Sequence, residues 1–352
     1  MIDRKILNIQ ALRAFAVLLV VFSHLVHIEG KYGHNEHFLS EYFLYGVSGV
    51  DLFFIISGFV MVTVSRKRQG HAPLYPLQFL YNRITRIYPV YWFYCTIVLV
   101  VYFCRPDMVN SSQGNQVLIF ESFLLWPQKL VPLLAVAWTL THEMYFYLVF
   151  TIMLWGARSH IQRYLFFWLI AVTVGNVVLD NRSIPLLKII FHPLTIEFIA
   201  GCIIAHVVFR GHTGYGRSYF YGGGVLLLFS TAACYAYSGS SLPDGWYRVL
   251  FFGVPCSLMV YGAVASELQS TLRFPPWFNL IGDASYSIYL SHVLVLSFLG
   301  RVWYQFGQEG LYDNFLVIIL MIFLVVVYGY LSFRYIEKPA IRGFRHLRTA
   351  VG

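Results

Sequence analysis

The sequence predicts an all-α membrane protein, and three observations support that prediction. Of the 352 residues, 58% are hydrophobic and 12% are charged, whereas a soluble domain carries about 25% charged residues. The aromatic fraction of 18% excludes a disordered chain, because disorder requires few aromatic residues. Apolar runs long enough to cross about 30 Å of hydrocarbon recur along the whole sequence. We therefore expect a polytopic bundle of transmembrane helices.

About ten apolar runs are long enough to span a bilayer, and we expect them to form one integral-membrane domain, 1–352. The first run contains Arg13 and His24 and lacks a small-residue cleavage site, so it predicts a helix rather than a cleaved signal peptide. The predicted spans are 8–28, 43–65, 88–104, 136–157, 164–180, 188–209, 219–237, 248–267, 277–300 and 314–335.

The distribution of basic residues orients this bundle. With the N-terminus in the cytoplasm, 17 Lys and Arg residues fall on the inner side and 7 on the outer side, and Arg13 lies within a helix. This asymmetry follows the positive-inside rule and predicts that both termini are cytoplasmic. The net charge of +9 is therefore explained by membrane flanks, and no nucleic-acid partner is expected. The five cysteines form no CxxC pair, so we expect packing thiols and no metal site.

Arg13 and His24 are predicted to lie on one face of the first helix. Eleven residues of α-helix turn through about 1100° and rise about 16 Å, which leaves the two side chains within about 20° of each other. Arg13 lies near the cytoplasmic end and His24 near the outer end. A cation inside and an imidazole outside suit an elongated anionic ligand that enters from the cytoplasm. The alternative is an arginine that reaches the inner interface and a hydrogen-bonded histidine at the outer one.

Other helices are predicted to place ionisable side chains at the depth of His24. These are Asp51 in the second span, His142 and Glu143 in the fourth, His192 in the sixth and His292 in the ninth. A charge inside a span costs about 2.5–3.5 kcal/mol, so each of these residues is a functional candidate. An imidazole that a carboxylate orients can act as a general base. Spacing leaves open whether Glu143 or Asp51 pairs with His24.

A further cationic pair precedes the third span. The segment 77–88 is amphipathic and is expected to lie at the cytoplasmic interface. Arg83 and Arg86 are three residues apart and therefore share a helical face. Two guanidinium groups on one face can chelate phosphates. Anchoring at the inner interface is the alternative explanation.

Taken in order along the chain, six segments resemble the acyltransferase-3 family of membrane acyltransferases, and in particular its exopolysaccharide-production branch. The resemblance covers nearly the whole chain. It rests on 9–14 (IQALRA) with the Arg13-x10-His24 spacing, 49–59 (GVDLFFIISGF), 83–89 (RITRIYP), 138–143 (WTLTHE), 285–292 (SYSIYLSH) and 337–339 (EKP).

This resemblance implies transfer of an acyl group, commonly acetyl, from cytoplasmic acyl-CoA to a sugar hydroxyl at the outer face. It implies that Arg13 and His24 are essential, that Arg83 and Arg86 lie near the coenzyme A end, and that the membrane is the bacterial inner membrane. The acceptor would be a polysaccharide or a lipid-linked sugar.

The residues and the resemblance lead to one mechanistic hypothesis. Arg83, Arg86 and Arg13 bind acyl-CoA, and His24 removes the proton from the acceptor hydroxyl, with Glu143 or Asp51 as the group that orients the ring. A covalent acyl-histidine is the competing version. A transporter of a small anionic substrate and a structural membrane subunit are the rival functions. The predicted sugar-binding residues are Trp138, His142, Tyr286, Tyr289 and His292.

Overall fold

The computed structural model describes residues 6–33, 37–67, 75–156, 160–179, 183–307 and 310–351. Within these ranges the regular structure is helical and contains no strand, which confirms the all-α prediction. The helices are α1 Leu7–Tyr32, α2 Ser48–Lys67, α3 Tyr75–Cys104, α4 Ile119–Leu124, α5 Trp138–Trp155, α6 Ile161–Val178, α7 Pro185–Ile190, α8 Leu194–Phe209, α9 Gly216–Ser238, α10 Gly245–Arg248, α11 Val254–Leu268, α12 Pro276–Asp283, α13 Ser285–Phe306, α14 Leu311–Ser332 and α15 Lys338–Val351.

In the described part of the chain, eight helices are long and apolar enough to cross a membrane, so the protein is a polytopic α-helical membrane protein. A helix is present at each of the ten predicted spans, but α5 and α13 are not among these eight. Their 18 and 22 residues correspond to lengths of about 27 and 33 Å. Polar residues lower their hydropathy, including His142 and Glu143 in α5 and His292 in α13. The cytoplasmic location of both termini stays a prediction.

The third span differs from its prediction. The sequence separates an interfacial segment, 77–88, from a span that begins at residue 88, whereas the structure joins both in the 30-residue helix α3. Pro89 lies inside this helix and removes one backbone hydrogen bond. Membrane helices tolerate such a loss when neighbouring groups satisfy the freed carbonyl. Arg83 and Arg86 therefore lie on the same continuous helix as the span.

The chain forms two compact units, of which the first comprises Met1–Thr63 and Ala200–Phe333. In this unit α1 packs against α11, α12 and α13. The turn of 3-10 helix before α2 approaches α1 closely, because a Cβ atom at Gly46 or Gly49 would collide with the carbonyl oxygen of Leu19 or Ala16. Small residues permit such close backbone contact between membrane helices. This packing brings the start of α2 against the middle of α1.

The second unit comprises Val64–Ile199 and Arg334–Gly352. Helices α3 and α5 pack together, and the rings of Phe79 and Phe150 lie 5.6 Å apart there. An aromatic cluster joins α5, α6 and the start of α8, with Phe146 stacked on Phe198 at 4.5 Å and Trp168 beside both rings. Aromatic pairs of this geometry add to the apolar area that they bury. This core holds the polar residues of α5 in place.

Candidate active site

His24 is oriented by the backbone of its own helix. Its Nδ1 atom lies 2.9 Å from the carbonyl oxygen of Val20, one helical turn earlier. A carbonyl oxygen only accepts hydrogen bonds, so Nδ1 must donate and carries the hydrogen. In the neutral ring Nε2 then keeps a free lone pair. The side chain is half-buried. The neutral ring is in the tautomer that leaves Nε2 unprotonated, as a general base requires.

A second imidazole lies directly beside His24. The ring centroids of His24 and His292 are 4.8 Å apart, and the planes meet at 82°. His292 is fully buried, and its Nδ1 atom lies 2.6 Å from the carbonyl oxygen of Tyr289. Its Nε2 atom is buried and makes no hydrogen bond with the described residues. Both rings therefore carry their hydrogen on Nδ1 and present a basic Nε2 atom.

Arg13 lies on the same uninterrupted helix as His24. Its Nη1 atom is 3.5 Å from the side-chain oxygen of Gln10, and the residue is half-buried. Because α1 continues from Leu7 to Tyr32 without a break, the predicted alignment of Arg13 and His24 follows from helical geometry.

Asp51 has a different partner from the imidazole considered in the sequence analysis. Its fully buried carboxylate accepts two hydrogen bonds from Arg248, at 2.9 Å from Nε and 2.8 Å from Nη2. Such a bidentate pair has the geometry of the strongest carboxylate–guanidinium contacts. Arg248 ends α10, and the sequence analysis counted it as an ordinary outer flank of the eighth span. Nothing in its spacing from Asp51 marks it as a partner.

The two tyrosines predicted to bind sugar belong to α13, in the same unit as His24. Tyr289 is buried, and its ring lies 5.7 Å from that of His292 and 6.0 Å from that of Phe53. Tyr286 is half-buried. The structure therefore places Tyr289 in the packing around the histidine pair and leaves part of Tyr286 exposed.

The second unit contains another histidine pair, formed by α5 and the link between α7 and α8. The ring of His142 lies 4.8 Å from that of His192 and 5.9 Å from that of Trp138. His192 accepts a hydrogen bond on Nδ1 from the backbone N–H of Leu194, at 3.2 Å. The structure thus brings together the predicted sugar-binding residues Trp138 and His142, together with His192, which the sequence marked only as an ionisable residue inside the membrane.

Glu143 and Arg83 are connected through Tyr147. The Tyr147 hydroxyl donates a hydrogen bond to Glu143 one turn earlier on α5. The guanidinium carbon of Arg83 lies 5.9 Å from the centre of the Tyr147 ring and 5.5 Å from that of Phe79, both within cation–π distance. Tyr147 was missed in the sequence analysis, although its position four residues after Glu143 was a usable signal.

Arg86 is half-buried on α3, three residues after Arg83. Among the residues that the structure describes, no group of three or more His, Cys, Asp or Glu side chains could hold a metal ion.

A helical membrane bundle with imidazoles and cationic residues on its spanning helices has the features of a membrane enzyme. The family model described as "Acyltransferase domain" (Acyl_transf_3) matches residues 6–334, so the chain belongs to the acyltransferase-3 family and is an acyltransferase. The family predicted from the six sequence segments is thereby confirmed.

Three relatives cover nearly the whole chain. The exopolysaccharide production protein ExoZ of Rhizobium meliloti (strain 1021) is 28% identical over 93% of this chain and 98% of its own length. The O-acetyltransferase OatA of Staphylococcus aureus (strain NCTC 8325 / PS 47) is 23% identical over 96% of this chain. The putative peptidoglycan O-acetyltransferase YrhL of Bacillus subtilis (strain 168) is 23% identical over 99% of it. The matches span 57% of the length of OatA and of YrhL. No solved structure matches the chain.

Proposed function

We propose that this membrane O-acyltransferase moves an acetyl group from cytoplasmic acetyl-CoA to a sugar hydroxyl of a polysaccharide or a lipid-linked sugar. The name of ExoZ refers to exopolysaccharide production, and the names of OatA and YrhL to O-acetyl transfer. Matches to relatives named for two different polymers support a sugar acceptor as the common element. We further propose that residues 1–352 form one catalytic domain and that this domain lies in the bacterial inner membrane.

His24 is the general base of the proposed reaction, and the observation that carries this assignment is the bond from its Nδ1 to the Val20 carbonyl. Nε2 takes the proton from the acceptor hydroxyl while the oxygen attacks the carbonyl carbon of the thioester. The carbon–sulfur bond then breaks, and the imidazolium returns the proton to the leaving thiolate. The products are the sugar ester and free coenzyme A. Attack by Nε2 itself, which gives an acyl-histidine, is the competing version.

Arg83 and Arg86 are proposed to bind the phosphates of the donor, with Arg13 nearer the thioester. The guanidinium of Arg83 lies beside two aromatic rings, and its Nε atom is buried without a hydrogen-bond partner among the described residues. An arginine held in this way loses little side-chain freedom when it binds an anion. Its planar donor groups match the oxygens of a phosphate.

The remaining predicted residues have supporting roles in this proposal. Glu143, which accepts a hydrogen bond from Tyr147, stays a catalytic candidate from the sequence, whereas Asp51 is assigned to its ion pair with Arg248. Of the side chains predicted to bind sugar, Trp138 and Tyr286 are half-buried and are the proposed direct contacts of the acceptor. His142, Tyr289 and His292 are buried and are proposed to support those contacts.

The test uses purified protein in liposomes with isotope-labelled acetyl-CoA and a surface-glycan extract. Labelled glycan and released coenzyme A are both measured for wild type, His24→Ala and His27→Ala. His27 is a matched control, because it is an exposed imidazole three residues further along the same helix. We expect wild type and His27→Ala to label the glycan equally and His24→Ala to lose at least about 100-fold in rate.

The outcomes separate the parts of the proposal. Unchanged transfer by His24→Ala would remove His24 from the chemistry. Binding of acetyl-CoA without turnover by wild type would indicate a different acceptor or acyl group. Failure of acetyl-CoA to bind at all would favour the transporter.

A further inference from the structure

The pairing of His24 with His292 joins two helices that are distant in sequence, α1 and α13. His24 is half-buried, whereas His292 has no exposed surface. With the packing seen here, a substrate at the exposed edge of His24 would have no direct contact with His292. An effect of His292 on the reaction would then act through His24.

Simple packing does not account for the Nε2 atom of His292. A buried polar atom without a hydrogen bond is unfavourable, and an apolar ring would fill the same space without that cost. The Nδ1 hydrogen is already committed to the Tyr289 carbonyl, so Nε2 can only accept. Among the described residues this acceptor has no donor, and it lies next to a ring that acquires a proton during the proposed reaction.

We propose that His292 is a positioning residue that stabilises the protonated form of His24 during acyl transfer. This inference rests on the proposed function, in which His24 is the base. When His24 Nε2 takes the hydroxyl proton, the ring becomes a cation and the neighbouring neutral imidazole interacts with it through its lone pair or ring face. His292 itself gains no proton. The proton returns from His24 to the thiolate of coenzyme A, so the reaction balances without a further reactant.

The charge on the pair limits how many protons it holds. Two imidazolium rings with centroids 4.8 Å apart would repel each other strongly in an apolar environment. One proton on His24 is favourable, because that ring is then positive and the neutral ring of His292 lies beside it. The pair therefore suits a reaction in which one proton is taken up and then released.

The experiment compares four proteins in the same liposome assay: wild type, His292→Phe, His292→Gln and His27→Gln. Phenylalanine keeps a ring in the packed position but has no acceptor, whereas the glutamine oxygen can accept a hydrogen bond. His27 is the control, since its ring lies 6.5 Å from that of His24 but is exposed. Thermal unfolding and acetyl-CoA binding are measured for each protein. Where His292→Phe does not fold, His292→Leu, which is smaller, takes its place.

We expect His292→Phe to lower kcat by about 10- to 100-fold, the factor that corresponds to a hydrogen bond with a charged group. The KM values for donor and acceptor should stay within about twofold of wild type, because His292 touches neither substrate. His292→Gln should fall between wild type and His292→Phe, and His27→Gln should match wild type.

A wild-type kcat in His292→Phe would overturn the inference. So would a loss in which glutamine is no better than phenylalanine, because that result describes packing. The two proposals fail in distinguishable ways. Full transfer by His24→Ala removes both, whereas an inactive His24→Ala together with an active His292→Phe removes only the pairing.

Discussion

We expect Asp51→Ala to lower the stability of the folded protein. We do not expect it to remove a group that takes part in the reaction. The carboxylate is fully buried and receives both hydrogen bonds of a bidentate pair with Arg248, whose side chain is 10% exposed. Without the carboxylate, the guanidinium cation stays in the same buried position and loses its counter-charge. A weak contact of 3.5 Å with the carbonyl of Val47 does not replace that charge.

The size of the effect follows from the two bonds that are lost. Hydrogen bonds to charged groups contribute about 1.5–3 kcal/mol each. Breaking a buried pair by removing one partner costs about 3–5 kcal/mol, because the other charge is left uncompensated. We therefore expect the free energy of unfolding to fall by about 3–5 kcal/mol in Asp51→Ala. The double variant Asp51→Leu with Arg248→Met should lose much less, since neither charge remains.

The assay is denaturant unfolding of the purified protein in detergent, followed by tryptophan fluorescence. Wild type, Asp51→Leu, Arg248→Met and the double variant form a double-mutant cycle, and Asp51→Ala is measured beside them. The coupling energy is the difference between the effect of the double variant and the sum of the effects of the two single ones. Asp107 provides the control, because it pairs with Arg105 at 3.2 Å with both side chains more than 60% exposed. Exposed pairs contribute little, so Asp107→Ala should unfold like wild type.

One result would refute this reasoning. If Asp51→Ala unfolds like wild type but has lost acyl transfer, the carboxylate belongs to the chemistry, as the sequence analysis allowed. Additive single variants would show that the contact with Arg248 contributes no stability. A stable double variant with normal transfer would place Asp51 entirely in the framework of the fold.

Two further predictions concern the N-terminus of α1 and donor binding. Glu267 accepts the backbone N–H groups of Leu7 and Asn8, at 2.9 and 2.6 Å, and so caps α1. Glu267→Ala should cost about 0.5–2 kcal/mol in the same unfolding assay, and Glu267→Gln less; equal losses would contradict a charge effect at the helix N-terminus. The double variant Arg83→Gln with Arg86→Gln should raise the KM for acetyl-CoA at least about tenfold with little change in kcat, and an unchanged KM would place the donor phosphates elsewhere.

The spans show how far local sequence predicts this fold. Hydropathy and helical period depend on neighbouring residues alone, so every predicted span contains helix in the structure, although 188–209 and 277–300 are each divided between two helices. The boundaries were less accurate where the sequence contains a strong local signal, as at Pro89, because packing overrides the tendency of proline to end a helix. The helices α5 and α13 lie at predicted spans but are not apolar enough to be counted as membrane-spanning by hydropathy. Their polar residues lower the hydropathy of spans that carry predicted site residues.

The sequence predicts candidate site residues but not the contacts between them. The alignment of Arg13 with His24 is a property of one helix, and it could be calculated from spacing. The sequence analysis predicts that a carboxylate orients the His24 ring. In the structure, the ring is oriented by a backbone carbonyl one helical turn away. The sequence analysis also predicts His292 as a sugar contact, but the packing of α13 buries it completely.

The sequence by itself determined the class of this protein: a helical membrane acyltransferase with ionisable residues inside its spans. These properties follow from composition, hydropathy and short ordered motifs. They can be inferred without knowing how the helices pack. Only the tertiary structure decided which of those residues meet, namely His24 with His292 and Asp51 with Arg248. Each pair joins helices far apart in sequence, and contacts of that kind depend on the rotation and depth of whole helices, which the local pattern of residues does not specify.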